Sequence, residues 1–176
     1  MVELSKKELR ERLEYLDEDA TLLFRDEGKY HVFIAGGGAL ILMDYMSRAT
    51  SDIDVINATK ALYELFDKYQ MNGHIAAHIN SFLFNYEDRV ELIWKGEKID
   101  FYTVSLEDIV VSKLCAGRQP DWDDLKMVAK HVDWEKLKAL ISDDDEMSTL
   151  KMSSRQYSEF KYAYARYVEE FKPCDN

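Results

Sequence analysis

Three consecutive glycines, Gly36-Gly37-Gly38, divide the apolar run His31 to Ala35 from a segment, Ala39 to Met46, that reads as a helix. A short apolar run fits a buried strand, so the chain passes from strand to helix through a turn without β-carbons. Glycine lets the backbone approach a ligand closely. A helix N-terminus offers N–H donors and the positive end of a dipole, which suits phosphate. About fifteen residues on, Asp52-Ile53-Asp54 opens a second apolar stretch that includes Val55 and Ile56. Side chains alternate between faces along a strand, so Asp52 and Asp54 share one face and Ile53 and Val55 the other. Two carboxylates so placed repel each other. Hard divalent cations such as magnesium or manganese take carboxylate oxygens readily.

Farther on, Arg89 to Trp94 and Lys98 to Val104 read as two strands joined at Lys95-Gly96-Glu97 in a hairpin. Asp100 is out of step with Ile99 and Phe101. If its strand neighbours that of Asp52 and Asp54, Asp100 completes a carboxylate triad. Three carboxylates can hold two magnesium ions, which clamp the attacking and leaving oxygens of an in-line phosphoryl displacement. Each piece has an ordinary reading: a turn, a solvated acidic pair, a lone surface acid. Their order and spacing together favour a site.

The remaining elements give the organisation. Ser5-Lys6-Lys7-Glu8 has capping-box spacing. Leu9, Leu13, Leu16, Ala20, Leu23 and Phe24 then recur on one helical face, with an end expected near Gly28. Lys60 to Tyr69 reads as a helix stopped at Asn72-Gly73. His74 to Tyr86 fits no single element. From Ser105 the chain reads as helices throughout: one capped by Ser105 and Asp108, one after Pro120-Asp121, one after Asp133, and one from about Ser153 to Phe171. These patterns predict an α/β core (α+β in the broader sense) over residues 1–104 and a helical C-terminal region over residues 105–176, packed on that core. With 47% apolar residues, the chain can bury a real core. A net charge of −11 argues against gripping a long nucleic acid by its phosphates. It favours a small nucleotide, a short RNA end or a basic protein partner. The two cysteines, Cys115 and Cys174, suggest neither a disulfide framework nor a metal site. A charged N-terminus and the lack of any membrane-length apolar run predict a cytoplasmic protein with no membrane partner.

The segment between Phe33 and Asn57, with its core IAGGGALILMDYMSRATSDIDVI, resembles the signature of the DNA polymerase beta-like nucleotidyltransferase superfamily. That signature is a Gly-Gly or Gly-Ser turn, a helix, and Asp-x-Asp or Asp-x-Glu among apolar residues. The run Arg48-Ala49-Thr50-Ser51-Asp52 is similar to the minimal bacterial members, among them the nucleotidyltransferase toxins of AbiE-type abortive-infection systems. The resemblance continues through Ile99-Asp100-Phe101, Ser105 to Asp108, Lys113, Arg118 and Asp121 to Leu125, and spans roughly residues 30–128. It implies a short mixed sheet flanked by helices. It also implies transfer of a nucleoside monophosphate from a triphosphate such as ATP to an acceptor hydroxyl. On this resemblance Asp52 and Asp54 bind Mg2+ (or Mn2+), and Asp100 binds the metal near the acceptor or helps deprotonate the attacking hydroxyl. Gly36, Gly37, Gly38, Arg48, Ser51, Lys113, Arg118 and Asp121 form the candidate nucleotide-binding set. Two departures stand out. Many members carry Ser after the first glycine, where its hydroxyl can touch a phosphate, and this chain has Gly37. The AbiE-type relatives tend to carry Lys where this chain has Pro120.

Two charges fall on apolar helix faces. Lys113 lies within the stripe of Leu106, Ile109, Val110 and Leu114, so it either snorkels to solvent or meets an anion such as a triphosphate or a catalytic carboxylate. Asp121 projects with Leu125, Val128 and Val132, as an N-cap or as part of a site. Arg118 and Arg48 are open to phosphate or to ordinary exposed positions and salt bridges. His74 and His78 have zinc-compatible spacing without a completing ligand. The run Asp143 to Glu146 reads as a solvated loop. The aromatic face of the last helix, Tyr157, Phe160, Tyr164, Tyr167, Val168 and Phe171, reads as packing within the chain, with docking of an antitoxin or a second copy as the other reading. Three functions compete. The first is an active nucleotidyltransferase, as the toxin of a toxin–antitoxin pair, acting on an RNA end, a protein or a small molecule. The second is a catalytically weak nucleotide-binding or interaction module. The third is an antibiotic-type nucleotidyltransferase whose cationic acceptor an acidic surface attracts.

Overall fold

The computed structural model of the chain describes residues 4–73 and 81–174. It divides into two compact units, Met1–Ile79 with Glu87–Ser105, and Asn80–Tyr86 with Leu106–Asn176. His74 and His78, and the zinc reading they carried, lie outside the described residues.

The first unit is a mixed α/β layer. Helix α1 (Lys6–Leu23) starts at a capping box in which Ser5 Oγ accepts from Glu8 N–H and the Glu8 carboxylate accepts from Ser5 N–H. Strand β1 (Tyr30–Ala35) leads into α2 (Gly36–Leu42), and β2 (Ile53–Ala58) follows. Lys60–Tyr69, expected as an α-helix, is wound as 3-10 turns and closed by Gln70 in the left-handed region at φ 54°. Then come β3 (Met71–Asn72) and the hairpin β4 (Glu91–Lys95) and β5 (Ile99–Thr103). The five strands are ordered β3-β2-β1-β5-β4. β1 pairs antiparallel with β2 and parallel with β5, β2 pairs parallel with β3, and β4 pairs antiparallel with β5.

Alternation sorts each strand into two faces. Val32, Ile34, Ile53, Val55, Ile99 and Phe101 are fully buried, while His31, Phe33, Asp54, Asp100 and Tyr102 are half-exposed. In β2 the alternation breaks after Val55, where Ile56 is buried and Asn57 half-exposed, at the register shift between Phe33 and Ile34. Leu9, Leu13, Leu16 and Ala20 of α1 are buried too, and each buried leucine contributes roughly 1.5–3 kcal/mol. The apolar stripe stops there. Leu23, expected on the buried face, ends the helix 60% exposed, and Phe24 serves as a half-buried C-cap in extended conformation.

A buried acid in α1 ties this helix to the hairpin. Asp17, only 5% exposed, accepts from the backbone N–H groups of Glu97 (2.7 Å), Lys98 (2.9 Å) and Ile99 (2.6 Å). A β-carbon on Gly96 would lie 2.6 Å from that carboxylate, so the turn needs glycine there. Asp17 sits within the stripe of Leu13, Leu16 and Ala20, a wrong-face charge that the sequence pattern offered and the apolar periodicity masked.

The second unit is helical: α3 (Leu106–Ala116), α4 (Gln119–Val128), α5 (Trp134–Ile141), the single turn α6 (Asp144–Met147) and α7 (Ser154–Phe171). Asp133 caps α5 by accepting from Lys136 N–H. α7 buries Phe160 and Tyr167. Trp122 and Trp134 pack around Tyr167, whose hydroxyl donates to the Leu125 carbonyl at 3.0 Å. Burial pushes the Tyr167 phenol upward. The aromatic face therefore packs largely within the chain, although Tyr157 stays 44% exposed. The acidic run is not simply a solvated loop. Asp143 caps α6, and the buried Glu146 accepts from Asn85 N–H (3.1 Å) and Asn85 Nδ2 (3.0 Å).

Candidate active site

The turn between β1 and α2 is built around one obligatory glycine. Gly36 has φ +63°, a region that L side chains rarely enter. It is also crowded: a β-carbon there would collide with Asp54 Oδ2. The register explains the proximity. β2 runs antiparallel to β1, and Asp54 lies opposite Ala35, the last residue before the glycines. Gly37 and Gly38 differ from Gly36. A β-carbon on Gly37 would meet Thr50 Oγ1 at 3.5 Å, and one on Gly38 would meet the Asp52 carbonyl oxygen at 3.6 Å, both ordinary contacts. The glycines form the first turn of α2 rather than preceding it, and the helix ends at Leu42, short of the expected Met46. Met43 caps it, and Asp44 follows at φ 64°.

Asp54 belongs to β2 and Asp52 immediately precedes that strand. Ile53 and Val55 are fully buried, while Asp52 and Asp54 are half-buried. Ser51 Oγ donates to Asp52 Oδ1 at 3.1 Å. Asn72 Nδ2 reaches Asp54 Oδ1 at 3.4 Å from the edge strand β3, where it lies directly opposite Asp54. Asn72 had read only as a helix stop, because its place depends on strand pairing that no local pattern reveals. Hard oxygen donors from two acids on either side of Ile53, with one carboxylate against a glycine backbone, suit a magnesium or manganese ion. Asp52 and Asp54 are the residues that would hold it. Among the described residues, no three His, Cys, Asp or Glu side chains gather as a metal-ligating group.

Asp100 does not join the pair. Its strand, β5, was expected beside β2, but β1 lies between them. Asp100 is in register with His31, and Asp54 with Ala35, at the other end of β1. Four residues along a strand span about 13 Å, and two inter-strand steps add about 4.8 Å each. Ion–oxygen distances of about 2.0–2.6 Å cannot bridge that gap. Asp100 instead accepts from Lys29 Nζ at 3.3 Å, and the same ammonium donates to the Gly96 carbonyl at 2.6 Å. A different acid reaches β2. Glu87 Oε1 accepts from Asn57 Nδ2 at 3.0 Å.

The other candidates fall as follows. Arg48 is exposed in the connection between α2 and β2. Lys113, Arg118 and Asp121 belong to the helical unit, where they form an ion-pair network. Lys113, 8% exposed, meets anions, and these are Asp121 (3.2 Å) and the buried Asp124 (2.7 Å). Arg118 Nε donates to Asp121 Oδ2 at 2.7 Å. Burial disfavours ionised Asp121, but the Arg118 hydrogen bond and the Lys113 charge outweigh it and hold this carboxyl below its ordinary range. Asp121 is not the N-cap of α4. Arg118 holds that position without a side-chain cap, and Pro120 lies second in the first turn, after Gln119. Cys115 lies half-buried, and desolvation pushes its thiol up to about 12, unsuited to a nucleophile.

No helix among the described residues is long and apolar enough to cross a membrane. No curated protein and no solved structure matches the chain. Residues 11–172 match the family DUF6036, described as a nucleotidyltransferase of unknown function, and the chain belongs to that family.

Proposed function

We propose that this protein transfers a nucleoside monophosphate from a nucleoside triphosphate to an acceptor hydroxyl at the Gly36–Asp54 junction. The observation that carries this reading is the packing of the Asp54 carboxylate against Gly36, which joins the acidic pair to the glycine turn. In the reaction the acceptor oxygen forms a bond to the α-phosphorus. The bond from that phosphorus to the bridging oxygen breaks, pyrophosphate leaves, and the acceptor proton passes to solvent or a nearby base. The turn contributes a backbone that a phosphate can approach closely. Asp52 and Asp54 would hold magnesium or manganese, which when bound neutralises charge on the transferring phosphoryl group. Ser51 and Asn72 keep the two carboxylates oriented.

One observation favours a second reading. Among the described residues the register sets Asp100 at the far end of β1 from Asp54, away from the place of the third carboxylate expected to assist the acceptor. A nucleotide-binding module with weak turnover fits that arrangement. The acceptor class, and the toxin or antibiotic-modifying role it would imply, follow from what becomes labelled. The test is incubation of the protein with each α-labelled nucleoside triphosphate, magnesium and a cell extract, beside Asp52→Asn and Asp54→Asn variants. Label entering RNA, protein or a small molecule with the unmutated chain alone supports transfer. Magnesium-dependent nucleotide binding without label transfer supports the binding module.

A further inference from the structure

The glycine turn has no hydroxyl of its own, yet a hydroxyl stands beside it. Thr50 precedes the acidic strand, and its Oγ1 is the nearest atom to the place a β-carbon on Gly37 would occupy, at 3.5 Å, whereas its Cβ is 4.0 Å away. The oxygen of this side chain therefore faces the turn. The residue is held there by its backbone. Thr50 N–H donates to the Leu4 carbonyl at 3.1 Å, Leu4 N–H donates back at 2.6 Å, and Leu4 is fully buried. Within the chain, Thr50 Oγ1 donates to the Asp52 carbonyl at 3.4 Å, a long hydrogen bond that a better acceptor can displace. The side chain is half-exposed, so a ligand at the turn can reach it.

We propose that the Thr50 hydroxyl donates a hydrogen bond to a phosphate oxygen of the bound nucleoside triphosphate, filling from the neighbouring connection the place left open by Gly37. This rests on the reading of the glycine turn and acidic pair as a nucleotide site. Thr50 is a substrate-positioning residue, and it takes no part in bond breaking. The geometry also makes the role transferable. Gly37 lacks the positive φ of Gly36, and a β-carbon there meets only ordinary contacts. A serine β-carbon at that position would stand 3.5 Å from the site of the Thr50 oxygen, so one serine rotamer brings a hydroxyl toward the same space.

The experiment is calorimetric titration of the full chain with each nucleoside triphosphate in the presence of magnesium. It compares Thr50→Val, Thr50→Ser and the double variant Gly37→Ser/Thr50→Val, each with its melting temperature. Thr50→Val keeps the branched shape and removes the hydroxyl. It should raise Kd about tenfold or more, as expected for one hydrogen bond to a charged group. Thr50→Ser should bind like the unmutated protein. Gly37→Ser should restore affinity to Thr50→Val without restoring the bond to the Asp52 carbonyl, an outcome that a purely structural role for Thr50 would not produce. Unchanged affinity in a folded Thr50→Val, or a double variant that binds no better than Thr50→Val, overturns the proposal. If Thr50→Val does not fold, tight binding by Thr50→Ala overturns it instead. Binding by the unmutated chain with no effect at Thr50 defeats this inference alone, whereas no magnesium-dependent binding by the unmutated chain defeats the nucleotide site as well.

Discussion

Replacing Asp17 by alanine is expected to destabilise the α/β unit by about 3–5 kcal/mol. Its carboxylate accepts three backbone N–H groups, from Glu97, Lys98 and Ile99. Glu97 is exposed, and its N–H can turn to water. Lys98 and Ile99 are 7% and 0% exposed. Their N–H groups would be stranded, and each stranded buried group costs roughly 1–3 kcal/mol. Loss of the hydrogen bond at Glu97 adds a smaller amount. A domain of ordinary stability has only about 5–15 kcal/mol in hand, so the loss is large. Urea unfolding followed by circular dichroism and by tryptophan fluorescence measures it, since Trp94 of β4 stacks on Phe101 of β5 within the hairpin. Asp17→Asn keeps one acceptor oxygen and should lose about half as much. Glu18→Ala, on the exposed side of the same helix, should stay within about 0.5 kcal/mol. A loss below about 1 kcal/mol for Asp17→Ala would refute this account of the hairpin's attachment.

Other consequences are as direct. Gly36→Ala should cost at least about 1–2 kcal/mol from its left-handed φ alone and should abolish any magnesium-dependent rise in melting temperature with nucleotide, because the new methyl displaces Asp54. Gly37→Ala, which meets no clash, should keep its stability in the same melts. Asp121 is held below its ordinary value of 3.8 in the folded protein. Its contribution is therefore complete above that pH and lost as pH falls below it through the depressed value. Acid titrations of unfolding should show a shallower loss below about pH 4 in Asp121→Asn, from a lower starting stability, and identical acid slopes would contradict this. Cys115, with its thiol pushed up to about 12, should react with iodoacetamide at pH 8 far more slowly than the exposed Cys174, a difference that peptide mapping resolves.

What the sequence revealed of the site followed the distance over which each part is determined. The glycine turn, the acidic pair and their alternation with Ile53 and Val55 are local, so period and glycine chemistry sufficed. The hairpin and the helix starts at Ser5, Asp133 and Ser153 are legible for the same reason, and each of these three residues caps its helix. Strand order is not local. Nothing in Lys98 to Val104 says that β1 intervenes between β5 and β2 and so carries Asp100 away, and nothing near Asn72 says that β3 pairs along the other edge of β2 and sets Asn72 opposite Asp54. Lys113 and Asp121 were recognisable as charges on apolar faces, but their partners were not, since those depend on how α3 and α4 pack. At Leu23 and Phe24 the apolar period continues past the point where the helix stops, so periodicity overstated the buried face.

Nucleotidyl transfer at the junction of Gly36 with Asp52 and Asp54 is the proposed activity. Parallel reactions with α-labelled and γ-labelled nucleoside triphosphate, analysed for labelled acceptor and released pyrophosphate, test it most directly. The α-label is expected on the acceptor, the γ-label in pyrophosphate, and neither product with Asp54→Asn. The γ-label on the acceptor, or products that persist undiminished in Asp54→Asn, would contradict it.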